Sequence, residues 1–137
     1  GYVNGRARTG AETIQNLYLG VGLPLPSDRW SLGLVYDARI LDGAGNDDSV
    51  FGAYLGHRLN DKLSLNLRGE IFQDGDKLFS SESATEQTDG HGLTATLDYK
   101  LWENVISRLE YRWDHTDSLV NGRNNTQALH LNLIYEF

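Results

Sequence analysis

The chain has no cysteine, no methionine and only two prolines among its 137 residues, and it has fewer basic than acidic side chains. Without cysteine there is no disulfide framework, no thiolate metal site and no cysteine nucleophile. Twelve Lys and Arg against nineteen Asp and Glu give a formal net charge of −7. That balance argues against a nucleic-acid partner, because phosphate binding needs clustered cations. No apolar run approaches the roughly 18 residues of a membrane helix, and none forms a signal-peptide core. The mean hydropathy of −0.45 taken alone describes a soluble acidic chain. It does not exclude a membrane β-barrel, in which only every second residue of a strand faces lipid.

What the chain does contain leans towards sheet. Fifteen glycines, seven tyrosines and three tryptophans suit curved, aromatic-rich strands. Helical periodicity is absent, and apolar residues recur with period 2 in segment after segment. Residues 16–23, 29–41, 50–59, 62–71, 92–101, 105–114 and 126–137 each alternate in this way. Residues 29–41 put Trp30, Leu32, Leu34, Tyr36, Ala38 and Ile40 on one face, and the last segment puts Leu129, Leu131, Leu133, Tyr135 and Phe137 there. Residues 2–8 offer a thinner eighth strand. Tight connections at 24–28, 60–61 and 102–104 alternate with long polar ones at 42–49, 73–90 and 115–126. Short turns on one rim and long loops on the other belong to an outer-membrane barrel. The expected fold is therefore all-β: a transmembrane antiparallel up-and-down β-barrel, with seven or eight strands in this chain. Residues 1–137 then form one β-barrel domain or the C-terminal portion of a larger one.

Alternation alone does not say which face is inside, since a soluble barrel hides its apolar face and a membrane barrel exposes it. The polar faces carry ladders of opposite charge. Arg68 and Glu70 share one strand, Asp98 and Lys100 another, and Arg108, Glu110, Arg112 and Asp114 a third. Asp37 and Arg39 add a further pair. Side by side in a lumen these could form a cross-strand network, so the first eight are the expected pore-lining residues. On a soluble outer face such pairs would contribute only about 0–1 kcal/mol each. Aromatics of the apolar face lie near strand ends: Trp30, Tyr135 and Phe137 towards the short-turn rim, with Trp102 in a turn, and Tyr36, Tyr111 and Trp113 nearer the long-loop rim. Two girdles of amphipathic rings are expected at membrane–water interfaces.

Little in the sequence points to catalysis. His57, His91, His115 and His130 are scattered, and no His, Asp and Glu group has metal-site spacing. Asp114-His115 has the composition of an acid–base pair, but a loop-edge pair is the simpler reading. No feature aligns a Ser/His/Asp triad. Residues 42–48 and 73–76 are oxygen-rich and could hold Ca²⁺ or contact lipopolysaccharide-bound divalent ions, but they lack EF-hand spacing, and plain turn chemistry is the simpler reading. No catalytic residue, metal ligand or cofactor is assigned, and the chain is not expected to be an enzyme.

The stretches "LRGEIFQDGDKLF" (67–79), "LTATLDYKLWENVISRLEYRWDHTDS" (93–118) and "LHLNLIYEF" (129–137) together resemble the C-terminal part of outer-membrane β-barrel porins of Gram-negative bacteria. The Arg68-Gly69-Glu70 strand entering an Asp/Gly-rich loop and the Arg108, Glu110, Arg112 strand carry the resemblance, which covers roughly residues 29–137. The alternate apolar residues ending on Phe137 are similar to the signal that such proteins present to their insertion machinery. The resemblance implies an outer-membrane location, passive passage of small hydrophilic solutes or ions, and the lipid bilayer, lipopolysaccharide and the insertion machinery as partners. A homo-oligomer is compatible with it. A porin with an open lumen needs more strands than eight, which fill their own interior, so a part of a larger barrel is the expectation. A small closed barrel with a structural, adhesion or assembly role and a soluble ligand-binding barrel are the alternatives.

Overall fold

The computed structural model of the chain describes residues 1–6, 13–42, 47–74, 88–120 and 123–137. Eight strands occupy them: β1 (Tyr2–Arg6), β2 (Thr13–Leu23), β3 (Trp30–Asp42), β4 (Asp48–Arg58), β5 (Leu63–Asp74), β6 (Thr88–Trp102), β7 (Val105–Val120) and β8 (Arg123–Tyr135). They form one sheet in the order β1 to β8, each antiparallel to the next. This is the up-and-down meander expected from the sequence, with seven long strands and a short first one. Among the described residues β1 and β8 do not pair with each other, so the sheet is open.

Three short connections share one rim. At 24–29 the backbone of Trp30 donates to the Ser27 carbonyl at 3.1 Å. At 59–62 the Asn60 side chain accepts from the amides of Lys62 and Leu63 at 2.9 and 3.0 Å. This is the Asx-turn chemistry that lets Asn reverse a chain without further support. The third link is 103–104, reached through a register shift between Lys100 and Trp102. Trp102, expected in the turn, is instead the last residue of β6.

The opposite rim corrects the sequence reading. Residues 115–126 are not one long loop. β7 continues to Val120 and β8 begins at Arg123, with a register irregularity between His115 and Val120. β6 likewise starts at Thr88, four residues before the alternating segment. Pairing persists where the apolar alternation stops, because backbone hydrogen bonds do not need apolar side chains. The alternation marks only the part of each strand that bears an apolar outer face. The oxygen-rich turns at 42–48 and 73–76 lie partly outside the described residues, which omit 43–46 and 75–87.

The packing is inverted relative to a water-soluble sheet. Among the described residues Ala38 is the only buried hydrophobic side chain, whereas Asp48 and Thr96 are buried polar ones. Leu129, Leu131 and Leu133 of β8 are 70–74 % exposed. Among the described residues no second layer covers the apolar face. The polar face is the shielded one, as in a sheet curling around its polar side, and it is called the inner face below.

Candidate functional site

Strand alternation places all eight charged residues expected to line a pore on the inner face, since their register partners are one another's neighbours. Asp98 stands opposite Arg108, Thr96 opposite Glu110, Thr94 opposite Arg112 and Gly92 opposite Asp114. Arg68 stands opposite Thr94, and Glu70 opposite Gly92. Lys100 faces Ile106 in the register and is exposed.

The ion pairs follow from this grid. Arg108 donates from Nε and Nη2 to the two carboxylate oxygens of Asp98 at 2.7 and 2.9 Å. This is the bidentate fork that a planar guanidinium makes with a carboxylate. Thr96 donates to Glu110 at 3.1 Å. Arg68 pairs with Glu70 on its own strand, and Arg112 pairs with Asp114 on its own strand at 2.7 Å. Arg112 also approaches Glu70 at 3.9 Å, although β5 and β7 are separated by β6. That reach depends on what β6 lacks. Its inner residues here are Gly90, Gly92, Thr94 and Thr96, so no long side chain stands between the two strands. A Cβ on Gly92 would lie 2.5 Å from an Asp114 carboxylate oxygen. β5 and β7 therefore bridge over a trough in β6.

The wall formed by β2, β3 and β4 is built differently. Its inner residues include Gly20, Gly22, Gly33, Gly52 and Gly56: Gly22 faces Gly33, Gly33 faces Tyr54, and Gly20 and Gly52 both face Val35. The rings of Tyr18 and Tyr54 lie along their own strands over Gly20 and Gly52. A Cβ at Gly20 would meet the Tyr18 hydroxyl at 3.0 Å, and one at Gly52 would meet Tyr54 Cε2 at 3.2 Å. The Arg68 guanidinium stands 5.6 Å from the Tyr54 ring centroid. Higher up, Arg39 pairs with Asp48, whose side chain is only 4 % exposed. The sequence reading had put Asp48 in a loop.

On the outer face the expected aromatics occupy different heights. Trp30 opens β3 at the short-turn rim and stacks on His57 with centroids 3.8 Å apart. Tyr135 ends β8 at the same rim and stacks on Phe137 at 6.5 Å. Trp113 is the last apolar residue before His115, and Tyr36 lies in the row of Phe51 and His91. Tyr111 sits one step deeper than Trp113, opposite Ala95 and Leu129. The upper limit of the apolar band passes from Ile71 to Leu93, Trp113 and Leu129, descending across the ladder rows. Strands tilted against the band produce such a diagonal.

Adjacent Asp114 and His115 fall on opposite faces. Asp114 takes Arg112, while His115 Nδ1 lies 3.1 Å from the Asn125 side-chain oxygen. They do not form an acid–base pair. No group of three or more His, Cys, Asp or Glu with metal-holding geometry occurs among the described residues. Sequence reasoning missed Tyr18, Tyr54, Phe72 and the glycines beside them. Their signal was present, since Tyr18 and Gly20, and Gly52 and Tyr54, are spaced i, i+2 and so share a face.

An open antiparallel meander with an ion-paired shielded face and an apolar exposed face is the wall of a β-barrel with a polar interior. The chain belongs to the family described as putative beta-barrel porin-2, OmpL-like, whose model matches residues 3–137. No curated protein matches the chain.

Proposed function

We propose that the chain is an outer-membrane porin, or the portion of one, that passes small hydrophilic solutes and ions by passive diffusion. The observation that carries this reading is the inversion of the two faces. Leu131 is 74 % exposed while the Glu70 side chain is 10 % exposed, an arrangement that is favourable only where the medium outside is apolar. Membership of a porin family supports the same setting. In it the outer face contacts the acyl chains, the two groups of aromatics lie at the headgroup levels, and the long-connection rim meets lipopolysaccharide. The strand ending at Tyr135-Glu136-Phe137 engages the insertion machinery.

The inner charges then line the aqueous path. Arg68, Arg112, Glu70 and Asp114 cancel locally, as do Arg108 and Asp98. Such a wall repels neither sign strongly and sets a transverse field across the path. Nothing in this role uses a reacting group, and no enzymatic activity is assigned.

The test is a planar-bilayer recording of the full-length protein. Stepwise, steady conductance is expected; its absence from folded, inserted protein overturns the reading. Replacing Arg108 and Arg112 by Ala removes two cations and leaves Asp98 and Asp114 unpaired. The cation-to-anion permeability ratio should rise, and an unchanged ratio would remove these residues from the conducting path.

A further inference from the structure

The two inner tyrosines converge on one row of the ladder. Gly20 faces Val35, and Val35 faces Gly52. Tyr18 lies above Gly20 and sends its ring down over it, while Tyr54 lies below Gly52 and sends its ring up. The row across β2, β3 and β4 is thus ring, Val35, ring. This apolar shelf spans two strand spacings, about 10 Å. Both rings keep access to the inner space, with Tyr18 49 % and Tyr54 37 % exposed. The next residue along the row is Glu70, opposite Gly52, and below it Arg68 stands beside the Tyr54 ring.

We infer that this shelf is a binding site for neutral pyranose sugars, which would lie with their C–H faces on Tyr18, Val35 and Tyr54. The site takes its setting from the porin reading, but its geometry stands apart from it. A pyranose has an apolar face of axial hydrogens and an edge of hydroxyls that both donate and accept. The shelf offers a flat aromatic surface, whose π faces attract polarised C–H groups. The Arg68–Glu70 pair at its end offers donors and acceptors together. Arg68 and Arg112 are balanced by Glu70 and Asp114, and Asp37 stands opposite Tyr18 on the same face, so the site carries no excess positive charge and selects for no anion. The width fits about two sugar rings side by side. Glycines at 20 and 52 are the reason the rings can lie flat, because a methyl group at either position would lift them.

The test is calorimetric titration of the full chain, folded in detergent, with cellotriose. Saturable heat is expected. Tyr18→Ala and Tyr54→Ala should each weaken affinity about tenfold, equivalent to about 1.4 kcal/mol. Tyr18→Phe and Tyr54→Phe should stay within about twofold of the parent, since the ring remains. Val35→Asn keeps both rings and should weaken binding about threefold, which covers the case of an alanine variant that does not fold. No heat from the parent protein, or equal affinity in a folded Tyr→Ala variant that has merely lost stability, overturns the shelf. Steady bilayer conductance with no cellotriose binding sinks the shelf and leaves the porin reading. Ring-dependent binding without conductance does the reverse.

Discussion

The inner face has two walls made on opposite plans. Across β5, β6 and β7, long charged side chains lean over a strand of glycine and threonine and meet above it. Across β2, β3 and β4, the glycines leave the wall thin and two tyrosines fold back onto it. In the first wall, small residues on one strand make room for partners on two others. In the second, small residues make room for an aromatic on the same strand. The same residue type, glycine, therefore serves a polar bridge in one place and an apolar shelf in the other. What differs is the side chain two positions away or one strand across.

Substitutions that fill the glycine spaces should break this contrast most strongly. In β6, a Cβ on Gly90 would meet the Phe72 ring at 2.5 Å and the backbone carbonyl of His115. Gly90→Val should destabilise the folded protein by about 1–3 kcal/mol, the usual effect of overpacking. On the other wall, a Cβ on Gly22 meets nothing within 4 Å, so Gly22→Val should shift stability by less than about 0.5 kcal/mol. Urea unfolding from lipid vesicles, followed by tryptophan fluorescence, checks both. Equal losses at the two sites would show that the walls do not differ as described.

Removing the shared acid is the next test. Glu70→Ala leaves Arg68 and Arg112 without a common partner. It should cost about 1 kcal/mol, below the roughly 1.5–3 kcal/mol of hydrogen bonds to charged groups because both arginines are partly exposed. A double-mutant cycle with Arg112→Ala should give a non-zero coupling across β6. Additive effects would mean the 3.9 Å approach contributes nothing. The coupling should also shrink as salt is raised.

The smallest effect is expected at Gly52. Gly52→Ala places a methyl 3.2 Å from the Tyr54 ring, which a few tenths of an ångström of ring movement relieves. Stability should change by less than about 0.5 kcal/mol, while near-ultraviolet circular dichroism reports the displaced ring. An unchanged aromatic spectrum would indicate that the ring does not rest on Gly52.

Much of this molecule was legible in the sequence wherever a residue's neighbours two positions away share its character. The Leu129, Leu131, Leu133 series announced an apolar face, and Arg108, Glu110, Arg112 and Asp114 announced a polar one. The upper ends of β6 and β7 were not legible. Beyond Trp113 the outer face turns polar with His115 and Asp117, so the alternation vanishes while pairing continues to Val120. The partners within the ladders were hidden as well. That Glu70 is approached by Arg112 depends on β6 separating them by one strand and presenting Gly92 at that level, a fact of register and not of spacing.

The sequence by itself determined that every long strand has one apolar and one polar face, because side chains alternate with period 2 and the residues are written in that period. It also determined the antiparallel pairing of β2 with β3, β4 with β5 and β6 with β7, because the short connections at 24–28, 60–61 and 102–104 allow no other path between those strands. Only the tertiary structure decided which face is shielded. Alternation is symmetric between inside and outside, and it takes the curl of the sheet to enclose Asp48, Glu70 and Thr96 while leaving the leucines of β8 open. The tertiary structure also decided that Tyr18 and Tyr54 meet on one row, since that depends on the register of three strands and on the empty space above two glycines.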